Sequence, residues 1–261
     1  MNKWSRFFAG VVIVAALGAS PIFASAQTGE LNVKLVGEQY SMADAMFRYC
    51  QSQSVFMQID GPEGMFGAQQ DEDTPDFDEA ITKDRDDYRT DSPFQGVVQL
   101  GDDYYGFTLD GEPVETGVQS PSTPVTETPE ESPNPKAPAF DRLFFDVNHN
   151  GDLTDDEPIE ASDVSAYSDS YVNCSFPRVE LTIQADGVEF DYAFTFSVYA
   201  NASMNYAYAN ASITAAAYRD GTIEIEGETH RVVLVDFNSN GRFDDATTVL
   251  DVQSANNAVY E

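Results

Sequence analysis

The sequence predicts a mainly β protein, an antiparallel β-sandwich or open barrel with long acidic and Pro-rich loops. Apolar residues alternate with polar ones in Val179, Leu181, Ile183 and again in Val188, Phe190, Tyr192, Phe194, Phe196, Val198. That period of two is what a strand with one buried face needs. Turn signals separate the runs, at Gly101-Asp102, Asp186-Gly187 and Asp220-Gly221, where tight reversals call for residues tolerant of positive φ. No stretch sustains a long helical period, so the strands have only one another to pack against.

Taken in order, residues 1–26 read as a secretory signal peptide. Lys3 and Arg6 supply a positive start, residues 7–19 are apolar and uncharged, and Ala24-Ser25-Ala26 offers a small-x-small cleavage site. The apolar run is well short of the roughly 20 residues that span a bilayer. The expected location is therefore secreted, periplasmic or cell-surface, with no membrane insertion once the leader is removed. Residues 31–36 read as a strand and 41–49 as one or two helical turns. The acidic loop 60–93 holds few large apolar residues, so most of it is expected to be solvated. Strands are expected at 95–100 and 104–109.

Residues 112–139 are rich in Pro, Ser, Thr and Glu and form a linker or an inserted loop. They separate an N-terminal β-rich part, 27–111, from a C-terminal one, 140–261. Strand-like sequence resumes at once with Asp141-Arg-Leu-Phe-Phe, which favours one domain with an insertion; a boundary near residue 125 is the alternative. Residues 206–218 are Ala- and Tyr-rich and ambiguous. Ile223 and Ile225 alternate with Glu224 and Glu226, and 231–236 is another strand.

Composition narrows the partners. The chain carries 45 Asp plus Glu against 13 Lys plus Arg, a net charge of -32. Nucleic acid and anionic bilayers would set negative charge beside negative charge, whereas divalent cations are natural partners. Cys50, Cys174, His149 and His230 show no zinc-ligand spacing. In an oxidising compartment the two Cys could pair or stay as separate buried thiols, and both readings stay open.

Two strand ends carry the informative residues. One run leads into Asp146-Val-Asn148-His-Asn150-Gly151-Asp152-Leu153-Thr154-Asp155-Asp156-Glu157, the other into Asp236-Phe-Asn238-Ser-Asn240-Gly241-Arg242-Phe243-Asp244-Asp245. They superpose at an offset of 90 residues (236 less 146). Side-chain oxygens at positions 1, 3 and 5 of a tight loop converge, Gly at 6 permits the reversal, and a backbone carbonyl at 7 adds another oxygen. Oxygen donors without imidazole or thiolate select a hard cation.

Both loops resemble the calcium-binding loop of the EF-hand family. The resemblance implies one or two Ca2+ ions, the first held by Asp146, Asn148, Asn150, Asp152 and, as bidentate closing ligand, Glu157. The second would be held by Asp236, Asn238, Asn240 and the carbonyl of Arg242. Its position 12 is Thr247, so Asp244 or Asp245 would close the shell, as extra aspartates do in thrombospondin type-3 repeats. The flanks depart from the family: each loop leaves a strand, and Pro158 disfavours a following helix. The likeness therefore concerns the loop and not the fold. Together with residues 104–110, the two loop segments also look similar to secreted β-rich proteins of bacteria, planctomycetes in particular, from which no activity carries over.

The leading expectation is a calcium-binding β-rich structural or binding module with ions fixing strand ends. A calcium-dependent hydrolase is the alternative, although no Gly-x-Ser-x-Gly, His-Glu-x-x-His or phosphate loop occurs. His149 lies inside the first loop and His230 begins a strand, and neither is expected to act as a base. A glycan-binding sandwich using Tyr199, Tyr206 and Tyr208 is the third reading, with a glycan or another surface protein as partner, although alternation assigns those rings to strand packing. Asn173, Asn201 and Asn210 match the glycosylation acceptor pattern.

Overall fold

The computed structural model describes residues 30–35, 51–60, 74–113, 136–168, 170–202, 207–225 and 227–245. The expected signal peptide at 1–26, the expected helical turns at 41–49, Cys50, the Pro-rich residues 114–135, Tyr206 and Thr247 lie outside them. The elements are β1 (Glu30–Leu35), β2 (Gln53–Asp60), α1 (Phe77–Ala80), β3 (Phe94–Leu100), β4 (Asp103–Pro113), β5 (Pro138–Phe145), β6 (Ile159–Glu160), β7 (Asp163–Ser168) and β8 (Tyr171–Ser175). They continue with β9 (Val179–Ala185), β10 (Val188–Ala202), β11 (Ala207–Ala215), β12 (Ala217–Ile225) and β13 (Glu228–Val235). Among the described residues every pairing between these strands is antiparallel, and the sheets stay open instead of closing into a barrel.

Two sheets face each other. One runs β3-β4-β5-β6; the other runs β2-β11-β10-β8-β7, with β9 added to the first half of β10. Their inner faces meet in one aromatic-rich core, where Phe107 packs on Phe196 with ring centroids 5.1 Å apart and Phe145 on Phe194 at 4.9 Å. The predicted hairpin is β9 and β10: β9 alternates strictly between buried and exposed, and Asp186 and Gly187 both take positive φ, as a tight two-residue turn requires. A smaller sheet, β1-β12-β13, leans on β10 through Ala193, Ala216, Leu35 and Tyr218.

Three expectations are refined. β4 and β5 flank the Pro-rich stretch, and they are hydrogen-bonded neighbours, with Leu109 opposite Leu143 and Pro113 opposite Pro138. The acidic segment is not merely solvated over 74–93. Ile81 anchors it with Phe77 and Tyr88 in a second cluster against Phe144 and Leu153, and Arg85 and Arg142 both lie over the Phe144 ring. The buried Asp110 carboxylate ties the segment down further by accepting the backbone N–H groups of Arg89 and Thr90. Cys174 is a free, buried thiol whose pKa burial pushes up to about 12.

The outer face of the second sheet is mostly uncharged, with Asp163 at the β7 edge opposite Ser175. Its outward residues on β8, on β11 and on β10 from Thr195 onward are Tyr, Asn, Ser and Thr, while the inward ones are mostly Ala, Val and Phe. Earlier on the same strand β10, Glu189 and Asp191 are exposed.

Candidate metal centres

β5 delivers the first loop and β13 the second, each first Asp following directly on the last strand residue. The two loops share one backbone signature. Position 4 is left-handed in both (His149 φ 54, Ser239 φ 60), and so is the Gly at position 6 (Gly151 φ 71, Gly241 φ 79). That pair of reversals turns successive N–H groups inward onto the first carboxylate. Asp146 Oδ1 accepts from Asn150 N at 2.9 Å and Oδ2 from Gly151 N at 3.0 Å. Asp236 does the same with Asn240 N at 3.1 Å and Gly241 N at 2.7 Å. The Asn at position 5 then accepts the N–H of position 7 and donates its amide to the Asp at position 10. The amide bonds are Asn150 to Asp155 at 2.9 Å and Asn240 to Asp245 at 2.7 Å.

The loops are seated differently. The first lies against the acidic segment: Thr82 N and Lys83 N donate to Gly151 O at 2.9 and 3.0 Å, and Leu153 N donates to Lys83 O at 3.0 Å. Lys83 Nζ reaches Asp152 at 2.7 Å, and with Thr154 it holds that carboxyl down at about 2. The second loop sits in the core. Ser239 is fully buried, accepting from Ala215 N and donating to Gln51 O, while Gly101 N donates to Asn240 O at 2.6 Å. Asp236 is wholly buried and accepts from the Tyr192 hydroxyl at 2.6 Å. Burial pushes its pKa up to about 6 despite the opposing hydrogen bonds.

The predicted donors are thus on the same turns but not all in one shell. Asp146, Asn148 and Asn150 form the inner curve of the first loop, where Asn148 Oδ1 accepts from Asn150 N. Glu157 is exposed, whereas its neighbour Asp156 is buried. Burial first, and the Asp146 charge next, push Asp156 up to about 6. Asp156 went unmarked in the sequence because position 11 carries no ligand in the resembling pattern. In the second loop Asn238, Asn240 and Asp245 are tied together. The Arg242 side chain fans out to Asp102 at 2.8 Å and Asp186 at 2.9 Å, with Asp244 at 3.4 Å. His149 is exposed with Nε2 3.2 Å from Tyr104 O, and His230 is exposed on β13.

Among the described residues, no group of three or more His, Cys, Asp or Glu side chains is placed to hold a metal ion. One buried oxygen in each loop, Asp156 Oδ2 and Asn238 Oδ1, has no hydrogen-bond partner. Comparison with protein-family models, with curated proteins and with solved structures found no match.

Proposed function

We propose that this chain is a calcium-binding β-rich structural or binding module, exported from the cytoplasm, whose two oxygen-donor loops fix strand ends. The observation that carries the reading is the pair of orphaned buried oxygens, Asp156 Oδ2 and Asn238 Oδ1, one in each of two turns of matching backbone. An unsatisfied buried acceptor costs roughly 1–3 kcal/mol, and a cation at that point would remove the penalty. All-oxygen donors and a flexible, multi-residue cage suit Ca2+ better than the smaller Mg2+. Asp146, Asn148, Asn150 and Asp156 would hold the first ion, with Glu157 free to swing in. Asp236, Asn238, Asn240 and the carbonyl of Arg242 would hold the second, closed by Asp244 or Asp245.

Calorimetric titration of the chelator-stripped protein with CaCl2 tests this, together with the melting temperature with and without the ion. Binding near the roughly 10⁻⁴–10⁻³ M of extracellular modules is expected, with a higher melting point in calcium. Asp146→Ala should abolish the first site. Absence of heat and an unchanged melting temperature would refute the reading.

A further inference from the structure

We propose that the outer face of the sheet β2-β11-β10-β8-β7 binds an extended, neutral polysaccharide. An unbroken row of aromatic rings crosses all five strands. Tyr167 contacts Tyr171 at 5.5 Å between centroids, Tyr171 stacks with Tyr199 at 5.9 Å, Tyr199 meets Tyr208 at 6.0 Å, and Tyr208 stacks with Phe56 at 5.3 Å. Four strand spacings of about 4.8 Å make the row about 19 Å long, room for several sugar rings.

The register fills the spaces between rings with amides. Tyr199 stands opposite Asn173 on one side and Asn210 on the other; Asn201 stands between Tyr171 and Tyr208; Asn210 stands opposite Phe56. A pyranose offers C–H faces that stack on aromatic rings and hydroxyls that both donate and accept. Each asparagine amide can answer a hydroxyl pair with one donor and one acceptor. The same layout accounts for the Asn-x-Ser matches at Asn173 and Asn210, because residues two apart on a strand face the same side.

Charge selects the ligand class. In a chain of net charge -32, carboxylates would be the ordinary occupants of an outward strand face, as Glu189 and Asp191 are at the start of β10. From Thr195 onward that strand instead presents Thr, Ser, Tyr and Asn. The surrounding acids would repel an anionic polymer or bilayer. A protein partner would call for a dry apolar centre, which alternating amides and hydroxyls do not provide. A neutral, hydroxyl-rich ribbon matches what remains.

The test uses the purified protein, applied to insoluble cellulose, to chitin and to gels containing soluble mixed-linkage β-glucan, each in calcium and in chelator. Retention on at least one is expected under both ionic conditions, so failure of the calcium reading leaves this one standing. Tyr199→Ala with Tyr208→Ala should weaken retention by roughly tenfold, and the paired Phe variants should keep most of it. Should the Ala variant lose its β circular dichroism, Asn210→Asp, nearly isosteric, should still weaken retention severalfold. No retention on any of the three materials overturns the proposal, as does retention that neither the Ala nor the Asp variant reduces. Concentration-dependent dimers that the Tyr variants dissociate would assign the face to a second copy instead.

Discussion

The two loops share a turn but not a setting. Both place an Asp under two inward N–H groups, with left-handed residues at positions 4 and 6 and an Asn amide tied to the Asp at position 10. The first loop rests on a surface segment and has two cations nearby: Lys83 is taken up by Asp152 and Thr154, and Arg85, paired with Asp87, donates to the carbonyls of Leu153 and Asp156. The second is threaded into the core and stands beside Arg242, whose guanidinium is spread among Asp102, Asp186 and Asp244. The same local sequence therefore builds one turn laid against a surface segment and another set into the core. Calcium should matter more to the first loop, and core packing more to the second.

The largest expected contrast comes from the two glycines. A Cβ on Gly241 would lie 2.5 Å from Gly101 N and 2.7 Å from Ile183 Cδ1, whereas one on Gly151 would meet nothing nearer than Ala80 O at 3.2 Å. Both have positive φ, so each Ala variant carries a backbone cost of roughly 1 kcal/mol. Gly241→Ala adds a clash with backbone and should lose about 3 kcal/mol or more in urea denaturation, against about 1 for Gly151→Ala. Equal losses would erase the distinction in seating.

Acidity probes the same difference more gently. Asp236 has its folded pKa raised to about 6, above the usual 3.8, so the folded calcium-free protein binds a proton that the unfolded chain releases earlier. Its contribution is thus present below pH 4 and is lost as pH rises to about 6, by roughly 2–3 kcal/mol at most. Denaturation at fixed pH across that window, in wild type and in Asp236→Asn, measures it. A wild-type stability that climbs no less steeply with pH than that of the Asn variant would contradict the sign.

The smallest effect concerns the neighbouring cations. Arg242→Gln should raise calcium affinity at the second loop a few-fold, and Lys83→Ala should do so at the first by less, since exposed pairs are worth about 0–1 kcal/mol. Titrations of the two variants side by side would show whether each change stays on its own loop.

The sequence made both turns legible because Asp-x-Asn-x-Asn-Gly fixes hydrogen bonds within a few residues, and the β9–β10 hairpin because its inward residues are large. Of the aromatic face it offered Tyr199 and Tyr208 but assigned them to strand packing, because β11 turns Ala207, Ala209 and Ala211 inward and alanine gives little contrast against Tyr and Asn. Segment 74–93 looked solvated because Ile81 is its one buried residue, the other anchors being half-buried rings and polar contacts. Asp156 escaped notice for a different reason: which of several adjacent acids turns inward depends on what the loop packs against.

β4 and β5 end as partners, Pro113 opposite Pro138, so the stretch strung between them departs from and rejoins the sheet at one place. Neither strand has to shift if that stretch gains or loses residues. Evolution has there a port for trying new sequence at little risk to the rest of the molecule.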